Sequence, residues 1–275
     1  MRLGAPVFGN ISTPELWIAA LQKCGYRAAY CPVSHDSPHV EAFARAAVDA
    51  DIVIAEVGAW SNPLSSDETT RRQAITYCQQ QLALADRIGA LCCVNISGSR
   101  GEPWDGPHPD NLTDATFDLI VETTRKIIDA VQPRRAFYTL ETMPWMYPDS
   151  AASYASLVQA IDRPQFAAHL DPVNLINCPS LYFNNAALLR DCFAALGPFL
   201  KGCHAKDVLL APRLTTHIDE ARPGLGALDY RVFLTEMAKL PEDTPLMLEH
   251  LPNEQEYTLA AAYIRTLAAE LGLAV

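Results

Sequence analysis

The stretch Ala136-Phe-Tyr-Thr-Leu-Glu-Thr-Met-Pro-Trp145 is apolar over its first residues and turns acidic within one step, at Glu141. Read as a buried strand, it sets a carboxylate at the strand's inner end. Desolvation there is costly unless a metal, a cation or hydrogen bonds compensate the charge. Three later stretches repeat the pattern: FAAHLDPVN (166–174) with Asp171, LKGCHAKDV (200–208) with His204, and PLMLEHLP (245–252) with Glu249. The remainder of the chain reads as scaffold that brings these four strand ends together.

Upstream, four more apolar runs read as strands: one within residues 2–9, then Ala28–Val33, Asp51–Ala59 and Leu91–Ser97. Helical periods fill the gaps. Thr13-Pro14-Glu15 marks a helix start and Gly25 its end, Ser37-Pro38 opens a second helix, and a long amphipathic helix starts near Ser66 and Thr69 and closes at Gly89. Further helices are expected over Leu112–Val131, Asp149–Ile161, Asn184–Leu196, Tyr230–Leu240 and Glu254–Leu271. Residues 98–111, with three prolines and three glycines, read as a long surface loop. A second long loop, holding Arg213, His217 and Pro223-Gly-Leu-Gly226, follows the seventh strand.

Eight apolar strands alternating with helices, without a composition shift between halves, predict an α/β chain folded as a single (β/α)8 TIM barrel over residues 1–275. A doubly wound open sheet is the competing fold, but no glycine-rich turn follows the first strand. The 49% hydrophobic content is ample for a core, and the formal charge of −11 argues against a nucleic-acid backbone or an anionic membrane as partner. The N-terminus has no signal-peptide pattern and no apolar stretch approaches a membrane span, so a cytoplasmic location is expected. Eight cysteines without a CxxC spacing read as buried, reduced thiols.

In such barrels the active site is built at the C-terminal ends of the strands. A single strand-end carboxylate is more often a surface cap or a salt-bridge partner. Glu141, Asp171, His204 and Glu249, at equivalent positions on four successive strands, point instead to one site. Three carboxylates and an imidazole suit one divalent metal, Mn²⁺, Mg²⁺, Co²⁺ or Zn²⁺, with positions left open for substrate oxygens.

Taken together, Glu56-Val-Gly-Ala-Trp-Ser-Asn-Pro63, His169-Leu-Asp-Pro-Val-Asn174, His204-Ala-Lys-Asp207 and Leu248-Glu-His250 resemble the sugar phosphate isomerase/epimerase family of xylose-isomerase-like barrels. That group includes ketose 3-epimerases, inosose isomerases and dehydratases, and hydroxypyruvate isomerases. The resemblance implies metal ligation by Glu141, Asp171, His204 and Glu249, with Glu141 and Glu249 also moving protons on opposite faces of a bound sugar. One departure is Asn174, where the epimerases carry histidine. Its amide can hydrogen-bond a hydroxyl but is neither acid nor base near neutrality.

Other residues are candidates for substrate contact. Lys206, two residues beyond His204, faces the same side. His169 lies one layer below Asp171, as a partner to a ligand or as a core histidine. Glu56 and Asn95, near the ends of strands three and four, either reach hydroxyls or bond at the rim. Trp60, Trp104, Trp145 and Tyr147 are placed to wall a sugar face or to pack the scaffold. Asp207 is expected to orient a neighbour through a salt bridge, and His250 to point away from Glu249.

The expected activity is that of a metal-dependent isomerase or epimerase of a small ketose or keto-polyol, with proton transfer through an enediolate. A lyase or dehydratase acting on a keto-inositol or a 3-keto-glycoside through the same enolate is the near alternative. A hydrolase like the abasic-site endonucleases, and a non-catalytic sugar-binding protein, are the more distant ones. The expected partner is a small neutral carbohydrate, with no nucleic acid and no membrane; a homo-oligomer is left open.

Overall fold

The computed structural model describes residues 1–275. Eight parallel strands close into a barrel: β1 (Arg2–Gly4), β2 (Ala28–Tyr30), β3 (Val53–Gly58), β4 (Cys92–Asn95), β5 (Phe137–Glu141), β6 (Phe166–Leu170), β7 (Leu200–Ala205) and, after the antiparallel pair β8 (Asp207–Ala211) and β9 (His217–Ala221), β10 (Pro245–Leu248). Around the barrel the staves run β1-β10-β7-β6-β5-β4-β3-β2. Outside lie α1 (Pro14–Cys24), α2 (Val40–Asp49), α3 (Glu68–Ile88), α4 (Asp114–Val131), α5 (Ala151–Ile161), α6 (Pro179–Phe183), α7 (Asn185–Leu196), α8 (Tyr230–Met237) and α9 (Glu254–Glu270). The expected closed barrel with helices between its strands is what forms. No helix is long and apolar enough to cross a membrane.

Helix boundaries follow local chemistry. Thr13, Asp67, Thr113, Ser150 and Asn253 each accept a backbone N–H of the first turn of the helix they open, and Gly25 and Gly89 end α1 and α3 in the left-handed region. α2, α6 and α7 begin without a side-chain cap, and α2 starts at Val40 rather than at Ser37-Pro38.

Two connections organise the C-terminal end of the barrel. Residues 98–111 are held together by the buried Asn111, whose Oδ1 accepts from Arg100 N (2.8 Å) and whose Nδ2 donates to Gly106 O (3.1 Å). The expected loop after β7 proves to contain the β8–β9 hairpin, paired from Asp207↔Ala221 to Ala211↔His217. Asp207 is therefore no salt-bridge partner. Its carboxylate accepts backbone N–H groups from Val208, Gly224, Gly226 and Leu228, and so fixes the return path from β9 to α8.

A single hydroxyl binds the staves that carry the acidic residues. Tyr154, fully buried on α5, reaches between β5 and β6: it donates toward Leu140 O or Ala167 O and accepts Leu140 N (3.1 Å) and His169 N (3.0 Å). The His169 N–H is free for it because the β6–β7 register shifts between Ala168 and His169. Tyr154→Phe should lower stability by about 1–3 kcal/mol, the range for leaving buried backbone groups unpaired. Thermal unfolding should register a drop of several degrees; an unchanged midpoint would mean that water replaces the hydroxyl.

Candidate functional site

Four staves deliver the residues expected at their ends to one place. One ligand-capable atom each from Glu141, Asp171, His204 and Glu249 lies within 4.8 Å of all the others. Glu141 and Glu249 line the floor of a cavity of about 660 Å³ at the C-terminal end of the barrel, while Asp171 and His204 are fully buried beside them. His204 stands at the centre of the group, with Nδ1 2.9 Å from Glu249 Oε1 and 3.3 Å from Glu141 Oε1. Asp171 is fully buried; its Oδ1 accepts Val173 N (3.0 Å), and its backbone is tied to the Thr142 hydroxyl in both directions.

Lys206 enters this cluster as a buried cation. Its Nζ lies 2.7 Å from Asp171 Oδ2, 2.6 Å from Glu249 Oε1 and 3.1 Å from Glu220 Oε1. Those contacts are ion pairs without the alignment of hydrogen bonds: Asp171 Oδ2 meets Lys206, and Glu249 Oε1 meets Lys206 and His204. Buried carboxylate oxygens that are paired by charge rather than by aligned hydrogen bonds, beside an imidazole nitrogen, fit a divalent cation. The donor set is oxygen-rich with one nitrogen and no thiolate, which suits Mn²⁺, Mg²⁺, Co²⁺ or Zn²⁺ in an open site.

The electrostatics show how tightly these groups are coupled. Burial pushes the Asp171 carboxyl above its ordinary range, with Lys206 opposing and the charges of Glu141 and Glu249 adding to the rise. For Glu249 burial acts the same way, but the charge and hydrogen bond of His204, with Lys206, outweigh it and hold the carboxyl below its ordinary range. Both cations are favoured in return. The carboxylates raise His204 and Lys206 despite the opposing cost of burial.

Glu56, which also lines the cavity, is backed by the buried His169. Glu56 Oε2 lies 2.9 Å from His169 Nε2, and the Glu56 carboxylate is 3.4 Å from His204 Nε2. Burial would raise the Glu56 carboxyl, but the two histidines prevail and hold it at about 2. His169, fully buried with its ring 4.2 Å from that of His204, lies behind Glu56 and does not line the cavity. That corrects its expected substrate contact, for the reason strand alternation supplies: it is one layer too deep.

The remaining candidates divide. Asn174 lines the cavity and donates to Glu141 Oε1 (3.1 Å) and Thr142 O (3.1 Å), so its amide positions the Glu141 carboxylate. Trp60, Trp104 and Trp145 line the walls. Asn95 does not reach the cavity: fully buried, it bonds Ser61 N and Ser61 O (3.2 Å each) and pins the loop behind Trp60. Tyr147 is also turned away, edge-on to Phe117 at 5.5 Å with its hydroxyl on Leu112 O.

Two functional candidates escaped the sequence reading. Glu220 comes from β9, and His250 was expected to face outward. β10 ends at Leu248, however, so alternation no longer applies at His250, whose φ of 56° turns it back over the cavity. Its Nδ1 sits 3.0 Å from Glu220 Oε2, a contact that raises the imidazole against the effect of burial. The short spacing between His250 and Glu249 was a visible signal; the approach of Glu220 was not.

A family model described as xylose isomerase-like TIM barrel matches residues 18–267. Among curated proteins none matches. Solved structures that superpose well include an endonuclease IV from Thermus thermophilus, at 17% identity, covering 98% of this chain and 100% of that one with a TM-score of 0.74. A probable 3-DHS dehydratase of Bacillus anthracis, involved in petrobactin synthesis, is 16% identical over 97% and 98% of the two chains, TM-score 0.71. The 3-keto-D-glucoside 4-epimerase of E. coli is 14% identical over 97% and 99%, TM-score 0.69. At such identities the likeness shows a shared fold and leaves the reaction open.

The Glu56–His204 contact generates a test. A carboxylate on the far nitrogen of a ligating histidine fixes its tautomer and ring plane, and loss of such a partner typically weakens metal affinity about 10–100-fold. Glu56→Gln should therefore loosen Mn²⁺ binding by that factor in titration calorimetry while the fold persists. An unchanged affinity would reduce Glu56 to a core hydrogen-bonding group.

Proposed function

The chain belongs to the xylose isomerase-like TIM barrel family, and from that premise we propose that it is a divalent-metal-dependent isomerase or epimerase of a small ketose or keto-polyol. The observation that carries this reading is the convergence of ligand-capable atoms of Glu141, Asp171, His204 and Glu249 within 4.8 Å of one another at the foot of a large cavity that Glu141 and Glu249 line. These four residues would hold the ion. When bound, it supplies Lewis acidity toward a carbonyl and an adjacent hydroxyl of the substrate.

The protein's own groups then do the proton work. Glu141, held by Asn174 and His204, and Glu249, held by His204 and Lys206, approach a bound polyol from different staves. The ionised glutamate takes the proton on the carbon next to the carbonyl, and the C–H electron pair moves to the carbonyl oxygen as the enediolate forms. In epimerisation the other glutamate, protonated, returns a proton to the opposite face, and exchange with solvent resets the pair. In isomerisation the proton returns to the neighbouring carbon. Glu249 is a weak base while Lys206 lies against it, so the gain comes mainly from position and from charge already in place.

The formal charge of −11 and a floor lined by Glu56, Glu141, Glu220 and Glu249 favour a neutral substrate over an anionic one, a sugar phosphate or a nucleic acid included. Proton transfer should place solvent deuterium on the substrate-derived carbon in deuterated water. Glu141→Gln and Glu249→Gln should each slow turnover by at least about 10². Near-normal rates in both variants with metal still bound would remove the mechanism, and release of water from the substrate would identify an elimination instead.

A further inference from the structure

We propose that the cavity is built for a polyol joined to a flat apolar group, that is, a glycoside with an aryl-sized aglycone, rather than for a free sugar. The inference rests on the reading above for which end of the ligand meets the acidic floor, and concerns what fills the rest. A six-carbon sugar occupies on the order of 200 Å³ at the packing density of protein interiors. The cavity is about 660 Å³, so such a sugar on the floor leaves most of the space empty.

The chemistry of the upper part is unlike that of the floor. Three of the chain's four tryptophans line it, Trp60, Trp104 and Trp145, and they are 41%, 37% and 39% exposed, whereas Trp17 in the core is 1% exposed. Met143 and Pro144 continue the apolar surface, and Asp105 is the charged side chain among them. Single exposed apolar residues are ordinary, but three large rings facing one concavity mark a binding surface.

This wall is in place before any ligand arrives. The Trp60 indole lies against Gly58 so closely that any Cβ there would overlap its Nε1. Trp145 Nε1 donates to Asp105 O at 2.8 Å, which ties the segment after β5 to the 98–111 loop carrying Trp104, and Ser99 N donates to Trp104 O at 2.9 Å. With the Trp145 N–H spent on a carbonyl, that ring offers its face and no donor. A second sugar ring could lay its C–H face on an indole but would have to re-pair the hydroxyls around its edge, whereas an aromatic ring has none to re-pair.

The test is equilibrium binding to the Mn²⁺-loaded protein, followed by calorimetry and by tryptophan fluorescence, with phenyl β-D-glucopyranoside, methyl β-D-glucopyranoside and cellobiose as probes. The phenyl glycoside should bind at least about tenfold more tightly than the methyl glycoside and should quench tryptophan emission. Trp104→Ala and Trp145→Ala should abolish that preference without changing metal content, and Trp104→Phe should restore part of it. Equal affinities for phenyl and methyl glycosides, cellobiose matching the phenyl compound, or no saturable binding of the phenyl compound at millimolar concentration would each overturn the proposal. Failure of the isomerase reading shows elsewhere, in metal content and solvent-deuterium incorporation, while the aryl preference persists.

Discussion

Charge gathered in the barrel's interior is the constraint from which this molecule's architecture follows. Glu56, Glu141, Asp171 and Glu249 are gathered at one end of the barrel with Lys206 as the permanent cation among them. The excess of negative charge accounts for the raised proton affinity of His204 and Lys206, and for the way burial and pairing drive Asp171 and Glu249 in opposite directions. A cluster of this kind is tolerated only where rigid elements hold every partner in place, because removing one leaves the others uncompensated. It is also a site whose balance a divalent cation improves.

The rigidity comes from groups that carry no net charge or that bond only to backbone. Tyr154 locks β5 to β6, Thr142 and the Asp171 backbone exchange hydrogen bonds, and Asn174 holds Glu141. Asp207 gathers four backbone N–H groups to set the exit of the hairpin, and through it the position of Glu220 over the floor. Farther up, Asn95 and Asn111 brace the segments behind Trp60 and Trp104. The same carboxylate and amide chemistry thus serves twice: some of these groups face the cavity, and others build the frame that fixes them.

That division explains why comparable residues had different fates. Asn95 and Asn174 both lie near strand ends and both read as hydroxyl contacts; the first is consumed by the Ser61 backbone, while the second faces the cavity. Tyr147 and Trp145 are two residues apart, yet Tyr147 packs on Phe117 and Trp145 joins the wall. Side-chain type alone does not separate these cases, because each residue can satisfy its polar atoms either way.

The sequence by itself determined the barrel and the convergence of three carboxylates and a histidine. The eight-fold alternation of apolar strands and capped helices is a local pattern, and within each strand a period of two fixes which side chains share a face. Equivalent positions on adjacent parallel staves then come together once the sheet closes, so Glu141, Asp171, His204 and Glu249 were legible. His169 was legible to the layer, though not to its partner Glu56, which lies on β3, away from β6 in the stave order. Only the tertiary structure decided what lay beyond regular strands: the hairpin that delivers Glu220, the left-handed turn that returns His250, and the joining of two loops by the Trp145 indole. Those positions have no period to extrapolate, since they are set by barrel closure and by hydrogen bonds between segments far apart in the chain.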